Sequence, residues 1–227
     1  MKRLVIVPAF NEAKVIFATL TELKKALKSH GKFDILVIDD GSKDNTGVQA
    51  QKAKVKVISH SLNRGLGGAL GTGLEYAKRN HYDLCVTFDA DGQHHPLDLL
   101  KLIKPIENKQ ADIVIGTRTL SKTGHMPLDR KIINWASNLA TFLFFGIWTS
   151  DSQSGFRAFS KKAIDLIQIK TERMEVSSEI FSEVKRHKLK FTEIPIKVIY
   201  TQYSRAKGQK SLNAFRVLYK LLLRLAR

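Results

Sequence analysis

Leu84-Cys85-Val86-Thr87-Phe88-Asp89-Ala90-Asp91-Gly92-Gln93 is the stretch on which the rest of the chain turns. Its first five residues form a short apolar run, the mark of a buried strand. The run stops at two carboxylates one residue apart, which emerge where the strand enters a loop. Such a pair can face one hard cation, and Mg²⁺ or Mn²⁺ held by one or two carboxylates keeps positions open for the oxygens of a diphosphate. Gln93, His94 and His95 extend the turn with further candidate ligands. Standing alone, the same acids would read as solvated loop residues capping the next helix.

Outward from this stretch, apolar runs alternate with helical periodicity. Strands are expected at 4–7, 35–38, 55–58 and 113–115 beside 84–88. Helices are expected over 11–29, where Val15, Phe17, Leu20, Leu23 and Leu27 hold helical spacing, then around 44–52, over 64–79 and from Pro96. This alternation predicts an α/β fold with a mostly parallel sheet covered on both faces. Ligands of such sheets sit at the carboxyl ends of the strands. Pro8-Ala9-Phe10-Asn11-Glu12, Asp39-Asp40-Gly41-Ser42, Asp89-Ala90-Asp91 and Gly116-Thr117-Arg118 each follow a strand. Four polar motifs at equivalent ends imply one shared site.

The second half is less regular. A long helix is expected over 128–148, a polar loop over 151–157, a helix over 175–188 and a β segment over 191–200. Neither a repeat nor a low-complexity linker interrupts the chain, which favours one compact domain. The aromatic run of 132–148 has two open uses: core packing, or a surface that dips into lipid. From Thr201 onward the chain carries Arg205, Lys207, Lys210, Arg216, Lys220, Arg224 and Arg227 and no acid. Asn213, Arg216, Lys220, Arg224 and Arg227 fall on one helical stripe. Residues 211–227 therefore read either as a basic amphipathic helix suited to an anionic membrane surface or as a terminal helix docked on the core.

The 227 residues are 43% hydrophobic, enough for a substantial core, and carry a net charge of +17. That charge asks for an anionic partner: nucleic acid, acidic lipid or a phosphorylated substrate. Nucleic acid is disfavoured, since neither zinc spacing nor an aromatic RNA-binding motif is present and charge does not account for the strand-end motifs. The one cysteine, Cys85, excludes an internal disulfide and reads as a small core residue. Lys2-Arg3 leads directly into a strand rather than a secretory signal. The longest apolar stretch, 139–148, is broken by Thr141 and Gly146 and is too short to span a bilayer. A cytoplasmic protein resting on a membrane without crossing it is the expectation.

Each motif has a job in holding a nucleotide diphosphate. The turn after Pro8 brings backbone groups and Glu12 to the nucleotide, and Asp39-Asp40 can accept hydrogen bonds from a base or ribose hydroxyls. The glycines of Asn63-Arg64-Gly65-Leu66-Gly67-Gly68 would allow close backbone approach, a possible pyrophosphate cradle. A strict Gly-x-Gly-x-x-Gly after the first strand is absent, which counts against an NAD enzyme.

Taken together, the chain resembles glycosyltransferases of family 2, with the GT-A fold. The resemblance rests on Pro8-Ala9-Phe10-Asn11-Glu12, on 39–46, on Asn63-Arg64-Gly65 and on 89–94. Gly116-Thr117-Arg118, Arg130, Asp151-Ser152-Gln153-Ser154-Gly155-Phe156-Arg157 and Arg205 resemble the polyprenyl-phosphate branch, which includes dolichyl-phosphate mannosyltransferases. It covers residues 3 to about 212. It implies a catalytic domain over 1–210, with a nucleotide-binding half (1–95) and an acceptor-binding half (96–210), followed by the membrane-proximal helix 211–227. Asp89, Asp91 and Gln93 would form the Mg²⁺ or Mn²⁺ site. Pro8, Phe10, Glu12, Ile38, Asp40, Ala90 and Asp91 would hold the nucleotide-sugar. Arg118 would reach the sugar phosphate or the acceptor phosphate, assisted by Arg130, Arg205 and Lys210. Lys210 stands in Gly208-Gln209-Lys210-Ser211, where the family commonly has Gly-x-Ser-Lys.

The reaction implied is inverting transfer of a sugar from a GDP-mannose or UDP-glucose type of donor to a dolichyl or undecaprenyl phosphate at a membrane, with a membrane-protein partner also open. A phosphate monoester, with a second pKa of about 6, is already largely ionised and needs no dedicated base. The rival is transfer to a saccharide or protein hydroxyl, which would need one.

Overall fold

The structure, a computed structural model, describes residues 1–118, 128–197 and 199. The strands are β1 (Arg3–Ala9), β2 (Phe33–Asp39), β3 (Lys56–Ser59), β4 (Leu84–Thr87), β5 (Ile113–Thr117), β6 (Arg157–Ser160) and β7 (Phe191–Pro195). They form one sheet in the order β3-β2-β1-β4-β6-β5-β7. Only β6 runs against the others, antiparallel to both β4 and β5. Alternate residues of β1 serve opposite faces, as strand geometry requires. Val5 and Val7 pack with Ile16, Leu20, Leu99 and Leu102 on one side. Leu4 and Ile6 pack with Leu70, Leu74, Ile180 and Phe181 on the other. The sheet is thus covered on both faces.

The helices are α1 (Ile16–Leu27), α2 (Thr46–Lys52), α3 (Gly65–Arg79), α4 (Asp98–Glu107), α5 (Leu128–Phe145), α6 (Lys161–Leu166) and α7 (Val176–Arg186). α1 starts later than its periodicity predicts. Asn11 adopts a φ of 54°, and the Glu12 carbonyl accepts from the amides of Val15 and Ile16, so 11–15 form a turn. Phe17 faces water rather than the core. Pro8 does not end β1 but sits inside it. Ile6 bonds toward β4 through its carbonyl, so Pro8, two residues on, presents its missing donor on the same side. There β4 has already stopped, at the Ile6–Thr87 pair, and no ladder bond is lost.

β6 and α6 lie where the sequence predicts a polar loop and nothing after it. Four residues are too few to display an alternation, and α6 is marked only by Ser160, whose Oγ accepts from the Ala163 amide at 3.2 Å. β7 is shorter than the predicted 191–200. Arg205, Lys210 and the helix predicted over 211–227 lie outside the described residues.

Candidate active site

The parallel strands deliver their carboxyl ends to one edge of the sheet, and antiparallel β6 starts from that same edge. The loop over 149–156 therefore joins the motifs after β1, β2, β4 and β5. Sequence patterning alone did not foresee this placement.

At the centre stand Asp89 and Asp91. Asp89 Oδ2 accepts from His94 Nε2 at 2.8 Å. His94 is buried, its ring edge-on to Phe88 and tilted 33° over Phe156 at 4.6 Å. Among the described residues its Nδ1 has no hydrogen-bond partner. Gly155 presses on the other side of Asp89: a Cβ there would lie 2.7 Å from Oδ1. Burial works to raise the Asp89 pKa, but the His94 contact and the charges of Arg118 and Arg157 outweigh it and hold the carboxyl below the usual range. Asp91 goes the other way. Burial and the neighbouring Asp89 charge push it up to about 6, with Glu12 adding to the rise.

Asp91 is braced by Gln93, whose backbone amide donates to Oδ1 at 3.0 Å and whose Nε2 donates to Oδ2 at 2.6 Å. A divalent cation between the two acids would relieve the repulsion that raises Asp91. Among the described residues no cluster of three or more His, Cys, Asp or Glu is placed to hold a metal. The acid pair therefore fits a cation whose remaining positions are filled by substrate oxygens and water, as Mg²⁺ and Mn²⁺ prefer.

Beside this pair, Arg118 donates from Nε to Asp151 Oδ2 and from Nη2 to Oδ1, each at 2.7 Å, and its backbone amide reaches Oδ2 at 3.0 Å. Asp151 is fully buried. Its loop is staked from three elements. Asn134 and Asn138 of α5 donate to the Ser150 carbonyl, Glu193 of β7 accepts from Thr149 and Ser150, and Thr117 of β5 meets the Ser150 hydroxyl. Arg157 lies buried beneath, donating from Nη2 to the Ser152 carbonyl at 2.9 Å. Burial lowers its pKa to about 10 against the pull of Asp151 and Asp89, which leaves it a cation at neutral pH.

On the nucleotide side, two loops are stitched together. The Asn11 amide donates to Ser42 Oγ, the Lys43 amide to Asn11 Oδ1, and the Glu12 amide to Thr46 Oγ1. Phe10 is exposed at this rim, while Ile38 is fully buried in the core and Ala90 nearly so. The Asp40 carboxylate is occupied within the fold. Oδ1 accepts from His60 Nδ1 at 2.7 Å and from the Arg64 amide, and Oδ2 from the Gly65 amide at 2.7 Å. It thus ties down the start of α3.

The glycines there do not form an open phosphate cradle. A Cβ at Gly67 would lie 2.1 Å from the Thr171 carbonyl oxygen, so the close approach is to the chain's own 171–173 backbone. Glu179 holds that segment through the amides of Lys170 and Thr171.

The structure thus gathers Pro8, Phe10, Glu12, Asp89, Asp91, Gln93 and Arg118 at one edge. Arg130 falls in the first turn of α5, with its side chain outside the described set, as are Arg205 and Lys210. Asp151 and Gly155 were legible as part of a motif but not as partners of Arg118 and Asp89. Asn134 and Asn138, two amides one turn apart in an apolar run, were a signal that could have been read.

A mostly parallel seven-stranded sheet with a carboxylate pair and arginines at its carboxyl edge places the chain in the class of α/β proteins that bind ligands at the carboxyl ends of their strands. A crystal structure of Mycobacterium tuberculosis glucosyl-3-phosphoglycerate synthase, in complex with Mn²⁺, uridine diphosphate and phosphoglyceric acid, shares this fold. Its TM-score is 0.65 at 16% identity over 97% of this chain and 78% of that one. Residues 4–167 match the model of glycosyl transferase family 2, and the chain belongs to that family. It is 39% identical, over 96% of this chain and 94% of the relative, to the UDP-N-acetylglucosamine–dolichyl-phosphate N-acetylglucosaminyltransferase of Methanococcus voltae. It is 31% identical, over 91% and 87%, to the undecaprenyl-phosphate mannosyltransferase of Micrococcus luteus.

Proposed function

We propose that this protein is an inverting, divalent-metal-dependent glycosyltransferase that moves a sugar from a nucleotide-sugar to a polyprenyl phosphate at the cytoplasmic face of a membrane. The observation that carries the reading is Arg118. Its guanidinium is oriented by a buried carboxylate and stands within electrostatic reach of Asp89, so an anion-binding arginine and a metal-binding acid border one space. The names of the relatives from Methanococcus voltae and Micrococcus luteus support a polyprenyl-phosphate acceptor.

In this reading Asp89 and Asp91 hold Mg²⁺ or Mn²⁺, Gln93 braces Asp91, and His94 orients Asp89. When bound, the metal supplies charge stabilisation for the departing diphosphate. Pro8, Phe10, Glu12 and the 39–42 loop shape the nucleotide side, with residues 1–95 serving the donor and 96–210 the acceptor. Arg118 holds the acceptor phosphate against the donor, with Arg130, Arg205 and Lys210 as further cations. Bringing two anions together is the main electrostatic cost of this reaction, and fixed guanidinium groups offset it. The acceptor oxygen is already anionic and needs no proton removed.

The test is transfer of radiolabelled sugar from UDP-N-acetylglucosamine, UDP-glucose and GDP-mannose to dolichyl and undecaprenyl phosphate, with Mn²⁺ or EDTA. A chloroform-soluble product that disappears with EDTA is the expected result, and it names the donor. Nucleotide release stimulated by a saccharide or protein, without lipid product, would replace the reading with transfer to a hydroxyl.

A further inference from the structure

His60 directly follows β3, the edge strand of the sheet. Its amide donates to the Asp39 carbonyl at 2.8 Å, one step past the last strand pair, Asp39–Ser59. The side chain is 10% exposed and uses both ring nitrogens. Nδ1 lies 2.7 Å from Asp40 Oδ1, and Nε2 lies 2.9 Å from Thr72 Oγ1 of α3. An ionised carboxylate only accepts, so Nδ1 is the donor to Asp40. Thr72 is itself fixed, its hydroxyl donating to the Gly68 carbonyl one turn back at 3.0 Å. One imidazole thus joins the ends of β2 and β3 to α3.

From His60 the chain runs over the 39–42 loop before α3 begins. A Cβ on Gly41, whose φ is 68°, would lie 2.6 Å from Leu62 C and from Asn63 N, so the two loops touch through backbone. Asn63 Nδ2 donates to the Asp40 carbonyl at 3.3 Å, the Arg64 amide to Oδ1 at 3.0 Å and the Gly65 amide to Oδ2 at 2.7 Å. Each carboxylate oxygen accommodates two hydrogen bonds. Among the described residues, His60 and Arg64 fill Oδ1, and Gly65 takes one position on Oδ2. His60 is the one side chain among these three donors. Burying an ionised carboxylate only to join two elements is costly, and apolar packing would join them as well. A carboxylate at the carboxyl edge with an acceptor position to spare suits a ligand instead.

We propose that His60 is a positioning residue for the donor nucleotide. By pinning Oδ1 of Asp40, it turns the open position of Oδ2 toward a hydrogen-bond donor on the base or ribose. This rests on the nucleotide-sugar reading above and is independent of the acceptor. A carboxylate already held from three directions loses no further freedom when the nucleotide arrives. Released by His60, it would rotate and present either oxygen.

Calorimetric titration of UDP and GDP in the presence of Mn²⁺ tests the role. Asparagine places an amide donor near the position of Nδ1, whereas glutamine extends its amide to that of Nε2 and Thr72. His60→Ala and His60→Gln should therefore weaken the nucleotide about tenfold, the loss of one charge-assisted bond, while His60→Asn should stay within about threefold of the parent. Mn²⁺ affinity without nucleotide, read by electron paramagnetic resonance, should be the same in all four proteins. Where alanine does not fold, the comparison of asparagine with glutamine decides alone.

Parent-like affinity in His60→Gln would overturn the proposal. So would losses that follow the urea midpoint across the variants rather than the position of the donor atom, because a purely structural strut acts through stability. A parent protein that binds neither UDP nor GDP would remove this role together with the donor reading. A clear difference between asparagine and glutamine in a protein that transfers to no polyprenyl phosphate would leave His60 in its role and remove only the acceptor assignment.

Discussion

Asp151 receives Arg118 side-on, Oδ1 from Nη2 and Oδ2 from Nε at 2.7 Å each, with the Arg118 amide adding a third bond. The carboxylate has no exposed surface, while the Arg118 side chain is 23% exposed. Such a pair spends its energy on orientation, since two parallel bonds fix the plane of the guanidinium. In the proposed site Asp151 is a positioning residue, and Arg118 is the group proposed to meet an anion.

Asp151→Asn should therefore lower kcat by about 10- to 100-fold, the cost of misplacing a charged hydrogen-bond donor. Nucleotide affinity should change little, because Arg118 is proposed to serve the acceptor phosphate rather than the nucleotide. Steady-state kinetics with a separate nucleotide titration checks this. Arg118→Lys should not rescue, since an ammonium cannot make the two-pronged contact.

Gly155→Ala should act on the metal rather than on the fold. The new Cβ would fall 2.7 Å from Asp89 Oδ1, and the carboxylate is the part able to move. Mn²⁺ affinity, read by electron paramagnetic resonance without substrate turnover, is expected to drop about tenfold. Affinity equal to the parent protein's would remove Asp89 from the metal site.

Metal binding should depend on pH through Asp91. Its carboxyl is pushed up to about 6, so it is largely protonated below that value and must release a proton to bind a cation. Mn²⁺ affinity should fall as pH drops from 7 to 5 and level off above 7. In the metal-free protein the sign of the stability contribution is opposite. A raised carboxyl pKa favours folding below the unfolded value near 3.9, and that contribution is lost as pH rises through about 6. Added Mn²⁺ should accordingly raise Tm more at pH 7 than at pH 5, a difference calorimetry resolves.

Asp40→Ala should cost stability as well as nucleotide binding. Its carboxylate satisfies the Arg64 and Gly65 amides and His60, and leaving such groups unpaired costs about 1–3 kcal/mol. A urea denaturation midpoint equal to the parent's would show that the α3 start does not depend on it. Asp91→Ala, by contrast, should abolish metal-dependent turnover without lowering the midpoint, because it removes a carboxylate whose charge the fold disfavours.

Local signals carried the parallel half of this fold. The apolar runs at 4–7, 35–38, 84–88 and 113–115 became strands because each is apolar along its length, as a doubly covered sheet demands. The motifs after them met at one edge because parallel strands share a direction. β6 was hidden, since Arg157–Ser160 is four residues long and gains its identity only by lying between β4 and β5. For the same reason Gly67 invited a phosphate in the sequence and met the backbone of Thr171 in the fold.

The sequence by itself determined the sheet's class, the carboxylate pair and its family. These are written in contiguous residues whose spacing and chemistry are local. Only the tertiary structure decided which side chains answer one another: His94 and Gly155 about Asp89, Asp151 under Arg118, and the asparagines of α5 turned inward with Trp135 left outside. Apart from His94 and Asp89, five residues apart, those pairings join residues distant in the chain, and the packing that selects them exists only once the sheet has closed over both of its cores.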